Sequence, residues 1–140
     1  MAEVAHLFQA LEHKKPVTEF EAVEAVENKG FRDCLHGHSE TVRQVLLIDS
    51  ETLEEFGVAA GRGKENVTTR GLDLAKLEIG QRLRMGGALL EVTESCEPCR
   101  LLDEIRDGLQ EDLRGRRGIL CRVVRSGKIQ RGDRIEIVQA

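Results

Sequence analysis

Short apolar stretches alternate with turn residues along most of this chain, and few of them are longer than six residues. Arg43 to Ile48 gives the clearest strand signal, rich in β-branched and apolar side chains. Gln81 to Met85 and Ala88 to Thr93 flank Gly86-Gly87 and read as a hairpin. Ile119 to Arg125, Lys128 to Gln130 and Arg134 to Val138 follow as strands parted by Ser126-Gly127 and Arg131-Gly132-Asp133. Glu65 to Thr69 reads as extended. Val4 to Ala10 fits a first strand or a frayed helix, and Val17 to Val26 fits a strand or an acidic helix.

Helical signals are fewer. Asp49 or Ser50 can cap a short helix from Glu51 to Phe56, with acidic residues in its first turn and Gly57 at its end. Leu101, Leu102, Ile105, Leu109 and Leu113 fall at helical spacing, with Gly108 inside the run. The pattern predicts six to eight short strands and two or three short peripheral helices. Joined by hairpins, they make a mainly β fold, a compact barrel.

Composition narrows the function classes. The 140 residues carry a formal net charge of -4, which disfavours non-specific nucleic-acid binding. With no Trp or Tyr and four Phe, the chain lacks aromatic platforms for stacking on bases or sugars. Apolar runs such as Val45 to Ile48 are too short to cross a bilayer, so no membrane span is expected. The beginning of the chain has no charged-then-apolar leader. Four irregularly placed cysteines do not form a secreted disulfide framework, so a reducing cytoplasm is expected.

Three segments could carry chemistry. Cys96-Glu97-Pro98-Cys99 places two thiols two residues apart, followed by Arg100, whose cation favours a thiolate. Such a pair can share a metal, form a redox disulfide, provide attacking and resolving sulfurs, or simply fill a tight loop. A structural zinc would need two more ligands, and Cys34, His36 and His38 are the available donors. The stretch GRGKENVTTRG, from Gly61 to Gly71, offers Arg62, Lys64, Arg70 and the hydroxyls of Thr68 and Thr69 to an anion, or forms a solvated basic loop. It is neither a Walker loop nor a dinucleotide fingerprint. Arg114-Gly115-Arg116-Arg117-Gly118 can grip an oxyanion or cap a helix end. Arg43 opens an apolar strand and calls for a partner, for which Glu65 is a candidate. Cys121, inside a strand, reads as core.

In combination these pieces resemble the MOSC domain, named for the C-terminal domain of molybdenum cofactor sulfurase. The matching residues include Gly30, the His36-Gly37 region, Arg43 to Asp49, Glu65 to Leu74, Ile79-Gly80, Leu89 to Thr93, Pro98-Cys99, Gly115 to Gly118, Gly127 to Ile129 and Gly132-Asp133. The resemblance covers about Pro16 to Val138. It therefore sets residues 1–15 apart as an N-terminal lead-in to a single domain over residues 16–140.

The resemblance implies a mainly β barrel and a key thiol at Cys99, which would carry sulfur as a persulfide or ligate molybdenum in a bound molybdopterin. By motif position it implies Arg43, Asn66, Thr68, Thr69 and Arg116 as cofactor-binding residues, with Lys64 and Arg70 in the same basic stretch. Cys96 would be a second catalytic thiol, and Cys34 and Cys96 possible metal ligands beside Cys99. The two extra thiols depart from the family pattern, since many small members have an Asp in the loop where this chain offers Cys34. A cysteine desulfurase-type sulfur donor or a reductase is the implied partner. The family's pyridoxal phosphate link would run through such a partner, since no pyridoxal phosphate domain is recognised here. The alternatives are a molybdenum-dependent reductase of N-hydroxylated substrates and a cysteine-based zinc or redox-switch module.

Overall fold

The structure is a computed structural model that describes residues 2–12, 15–35, 41, 43–96 and 101–138, the side chain of Leu101 excepted. Within these residues the chain is mainly β with three short helices. The strands are β1 (Glu3–Gln9), β2 (Thr18–Phe20), β3 (Ala22–Val26), β4 (Gly30–Phe31), β5 (Val45–Asp49), β6 (Val67–Arg70), β7 (Arg82–Met85), β8 (Ala88–Ser95), β9 (Ile119–Arg125), β10 (Gly127–Gln130) and β11 (Ile135–Val138). The helices are α1 (Ser50–Glu55), α2 (Leu101–Ile105) and α3 (Leu109–Asp112), and Leu74–Lys76 forms one 3-10 turn.

Eight strands form one sheet in the order β11-β7-β8-β9-β5-β6-β1-β2, and three form a second in the order β10-β3-β4. All pairings are antiparallel except β5 with β6, which run parallel through α1 and the loop after it. Eleven strands thus replace the six to eight expected. The ambiguous stretch from Val17 to Val26 is two strands broken at Glu21, not an acidic helix. Residues 3–9, within the stretch set apart as a lead-in, pair with both β2 and β6.

The expected closed barrel does not form; both sheets are open. The first strand meets the last at a single bridge, Glu3 to Arg134, flanked by backbone bonds from Val4 N to Asp133 O and from Ile135 N to Ala2 O. From Leu7 onward, the free edge of β1 is taken by β2. Ile135–Val138 pairs with Arg82–Met85 on its other edge, and beyond that bridge no β1–β11 ladder is found among the described residues.

Strand periodicity sorts the apolar residues onto two faces. Val45 and Leu47 of β5, with Cys121 and Val123 of β9, pack with Val23, Ala25, Phe31 and Ile129 of the smaller sheet. Leu46, Ile48 and Leu120 point the other way and pack with Leu53, Leu102, Leu109 and Leu113 beneath the three helices. The helical run from Leu101 is broken because Gly108 sits at φ +83, which starts α3 afresh. Among the described residues no helix is long and apolar enough to cross a membrane.

Candidate functional site

The parallel pair β5–β6 places Asp49 level with Thr69; β5 ends there and β6 one residue later. A crevice beyond the carboxyl ends of parallel strands is a common ligand position. Here it is lined by Asp49, Thr52, Asp73, Ser95, Arg116 and Gly118, with a volume of about 130 Å³. A wider cleft of about 390 Å³ adjoins it, sharing Asp49 and Asp73 and adding Glu51, Gly71 and Leu72.

The walls are fixed by local hydrogen bonds. Asp49 caps α1, its Oδ2 accepting from Thr52 N at 3.1 Å and from Thr52 Oγ1 at 2.7 Å. Arg116 reaches over from the turn after α3. Its Nη2 donates to Thr52 Oγ1 at 3.1 Å, its Nη1 pairs with Glu55, and the guanidinium stands 5.3 Å from the centre of the Phe56 ring. Asp49, Thr52, Arg116 and Glu55 therefore form one polar chain along the crevice. Glu51 accepts from Gly71 N at 2.8 Å, and Asp73 caps the 3-10 turn through Ala75 N. Gly118 occupies φ +121, where a Cβ would lie 2.3 Å from the carbonyl oxygen of Leu47.

The residues expected to bind a cofactor are not gathered together. Of the seven, Arg116 is the one lining the crevice. Asn66 is buried and structural: Oδ1 accepts from Leu46 N at 3.0 Å, and Nδ2 donates to Phe8 O and to Cys34 Sγ, both at 3.3 Å. Thr68 is buried with its hydroxyl on Glu65 Oε2 at 2.8 Å, and Thr69, beside Asp49 in the neighbouring strand, is fully buried with no partner for its hydroxyl among the described residues. Lys64 Nζ donates to Lys15 O, while Arg70 is exposed and 3.7 Å from Glu3. Arg43 pairs with Glu94 at 2.8 Å on the surface, not with the buried Glu65.

The thiols separate as well. Cys34 packs in the core between the sheets, and Cys96 against the helical layer, on the opposite side of the large sheet. Among the described residues no three His, Cys, Asp or Glu side chains come together as a metal site. Cys121 is buried completely, and burial pushes its thiol pKa far up. Cys99, with Pro98, Arg100, His36 and His38, lies outside the described residues. Its neighbour Cys96 is anchored at the crevice wall, where Cys96 N donates to Gly118 O at 3.0 Å.

Sequence reasoning treated Asp49 as a cap and overlooked the part of Thr52, Asp73 and Ser95 in the crevice. The one available signal was the end of a strand in a strand–helix–strand unit. It also gave no warning that Arg116 faces the crevice while the adjacent Arg117 is buried.

Comparison with known proteins places these features in context. The model of the MOSC domain matches residues 35–136. Among solved structures, the chain is similar to the YuaD protein of Bacillus subtilis, with TM-score 0.83 and 21% identity over 97% of this chain and 94% of that one. It is also similar to YiiM of Geobacillus stearothermophilus, with TM-score 0.75 and 20% identity over 99% and 76% of the two chains. For YiiM of Escherichia coli the TM-score is 0.72, with 21% identity over 100% and 71%. No curated protein matches the sequence significantly.

Proposed function

The chain belongs to the MOSC domain family, which is associated with molybdenum-cofactor binding or sulfurase function, and from that premise we propose that it binds molybdopterin and handles sulfur through Cys99. One observation carries this reading: the end of β8, the last described stretch before Cys99 in sequence, stands at the crevice wall. Ser95 lines the crevice, and Cys96 is bonded to Gly118, which also lines it.

The crevice chemistry fits such a ligand. A molybdopterin presents a phosphate at one end and an amino-pyrimidinone edge, rich in N–H donors, at the other. Arg116 is the cation for the phosphate, and the Thr52 and Ser95 hydroxyls are further polar contacts. The Asp73 carboxylate matches the N–H edge, while Asp49 is tied through Thr52 to Arg116 at the phosphate end. The two adjoining clefts reach the few-hundred-Å³ scale of small-molecule sites. When bound, the cofactor supplies a thiophilic metal. The chain supplies the thiolate, the phosphate cation and the carboxylate for the N–H edge. A sulfur donor of the cysteine desulfurase type is the matching partner.

The test is elemental analysis and intact mass after incubation with molybdopterin and a sulfur donor, on the wild type beside Cys99→Ala. The expected result is molybdenum or one added sulfur atom on the wild type and neither on the variant. Equal loading of Cys99→Ala overturns the assignment.

A further inference from the structure

A guanidinium and a carboxylate are buried together under the helical layer, apart from the crevice. Arg117 is 4% exposed and Glu65 0%. Arg117 cannot shed its charge, and a buried charge without hydrogen bonds is costly. Its Nη2 donates to Gly63 O at 2.6 Å, while Nε and Nη1 have no partner among the described residues. Glu65 Oε2 accepts from Gly61 N at 2.9 Å and from Thr68 Oγ1 at 2.8 Å, while Oε1 has none.

Gly63 relates the two. The Cβ it lacks would lie 2.7 Å from Ile48 Cδ1, 3.4 Å from Glu65 Oε1 and 3.6 Å from Arg117 Nη1. The orphaned acceptor and the orphaned donor therefore lie beside the same glycine, with the Ile48 methyl packed against its α-carbon. Two hydrogen bonds through one water span about 4.5–5.5 Å, which the sum of the last two distances allows.

We propose that a buried water joins Glu65 Oε1 to Arg117 Nη1 across Gly63, making carboxylate, water and guanidinium one internal clamp. Water is the ligand this pair selects because it accepts from the guanidinium and donates to the carboxylate at once. An anion would be repelled by Glu65, and a metal cation by Arg117. The clamp ties the loop entering β6 to the turn that presents Arg116 and Gly118 to the crevice, two segments 54 residues apart at the Arg117–Gly63 bond.

Two measurements test this. A crystal structure of the whole chain, at a resolution that shows ordered solvent, should place a water within hydrogen-bond distance of both atoms. A direct Glu65–Arg117 contact, or no solvent there, overturns the bridge. A double-mutant cycle on Glu65→Gln and Arg117→Met tests the coupling through unfolding constants. Arg117→Met should change that constant about tenfold less in the Glu65→Gln background than in the wild type. Equal changes in both backgrounds overturn the clamp. The crystallographic measurement needs no variant, so a variant that fails to fold leaves the bridge testable.

Discussion

Asn66 donates from its carboxamide to the sulfur of Cys34 at 3.3 Å, joining positions 32 apart in sequence inside the core. The same side chain accepts from Leu46 N, so it bonds to the backbone of β5 as well. In this chain the asparagine thus ties β5, β1 and Cys34 together. Asn66→Ala strands the buried Leu46 N–H, and a loss of about 2–3 kcal/mol is expected from that unsatisfied donor and the lost contacts. Urea unfolding checks this, and a change below half of that would mean the site rehydrates or collapses.

Arg116 should behave oppositely. Its ion-pair partner Glu55 is exposed while Thr52 is buried, and an exposed pair of this kind contributes about 0–1 kcal/mol. Arg116→Ala is expected to unfold within that margin of the wild type while binding molybdopterin at least about tenfold more weakly, as loss of a charge-assisted phosphate contact predicts. Titration with the isolated cofactor reads the affinity. Unchanged affinity would remove Arg116 from the site.

Gly118 combines a left-handed backbone with a carbonyl pressed against it. Gly118→Ala cannot keep φ +121 and also avoid Leu47 O without shifting β5 or β9. A destabilisation of about 3 kcal/mol or more is expected. Thermal melting of that variant beside Gly115→Ala, whose Cβ would meet nothing within 4 Å, separates packing from backbone strain.

Glu91 makes the fold acid-sensitive. Its carboxyl is held below its ordinary value of 4.5, first by the hydrogen bond from Arg122 and then by that from Arg82, against the opposing effect of burial. A carboxylate depressed in the folded state contributes fully above its unfolded value, and that contribution is lost as pH falls through the folded one. Glu91→Gln should cost about 1 kcal/mol or less near neutrality, because all three groups are partly solvated. The gap from the wild type should close below pH 4.5. A gap that is constant with pH would mean the pair acts through packing alone.

Thiol chemistry offers a reading of the interior. Burial of Cys121 raises its pKa and shields it, so native protein alkylated near about pH 8 should keep it unmodified. Cys34, 5% exposed, should be spared too. Peptide mass mapping distinguishes the sites, and early modification of Cys121 would place it in a different environment.

Strand positions were legible where alternation was clean: β5, β7 to β9 and β11 lie within a residue or two of the pattern. The helix after β5 was legible from Asp49, because a capping carboxylate followed by acidic residues has few other uses. Sheet closure was not, because it depends on which strand takes the outer edge of β1, and nothing local records that β2 does. The candidate site was harder still. Asn66 and Thr68 look like ligand groups in sequence because hydroxyls and amides bind anions, yet the same groups satisfy buried backbone and carboxylate atoms, while the buried Thr69 hydroxyl has no partner among the described residues. A motif does not show which of these a polar side chain does.

The single parallel pairing also constrains how the chain acquires its structure. Two neighbouring strands that run the same way cannot zip from a hairpin turn; β5 and β6 must wait for α1 and the loop after it to compact. On its other edge β5 needs β9, which lies beyond α3. During synthesis, β5 therefore leaves the ribosome with neither neighbour in place. Its apolar run Val45 to Ile48 stays open to misassociation until residues near 125 have emerged, so assembly of the central sheet is a late event in the life of each new chain.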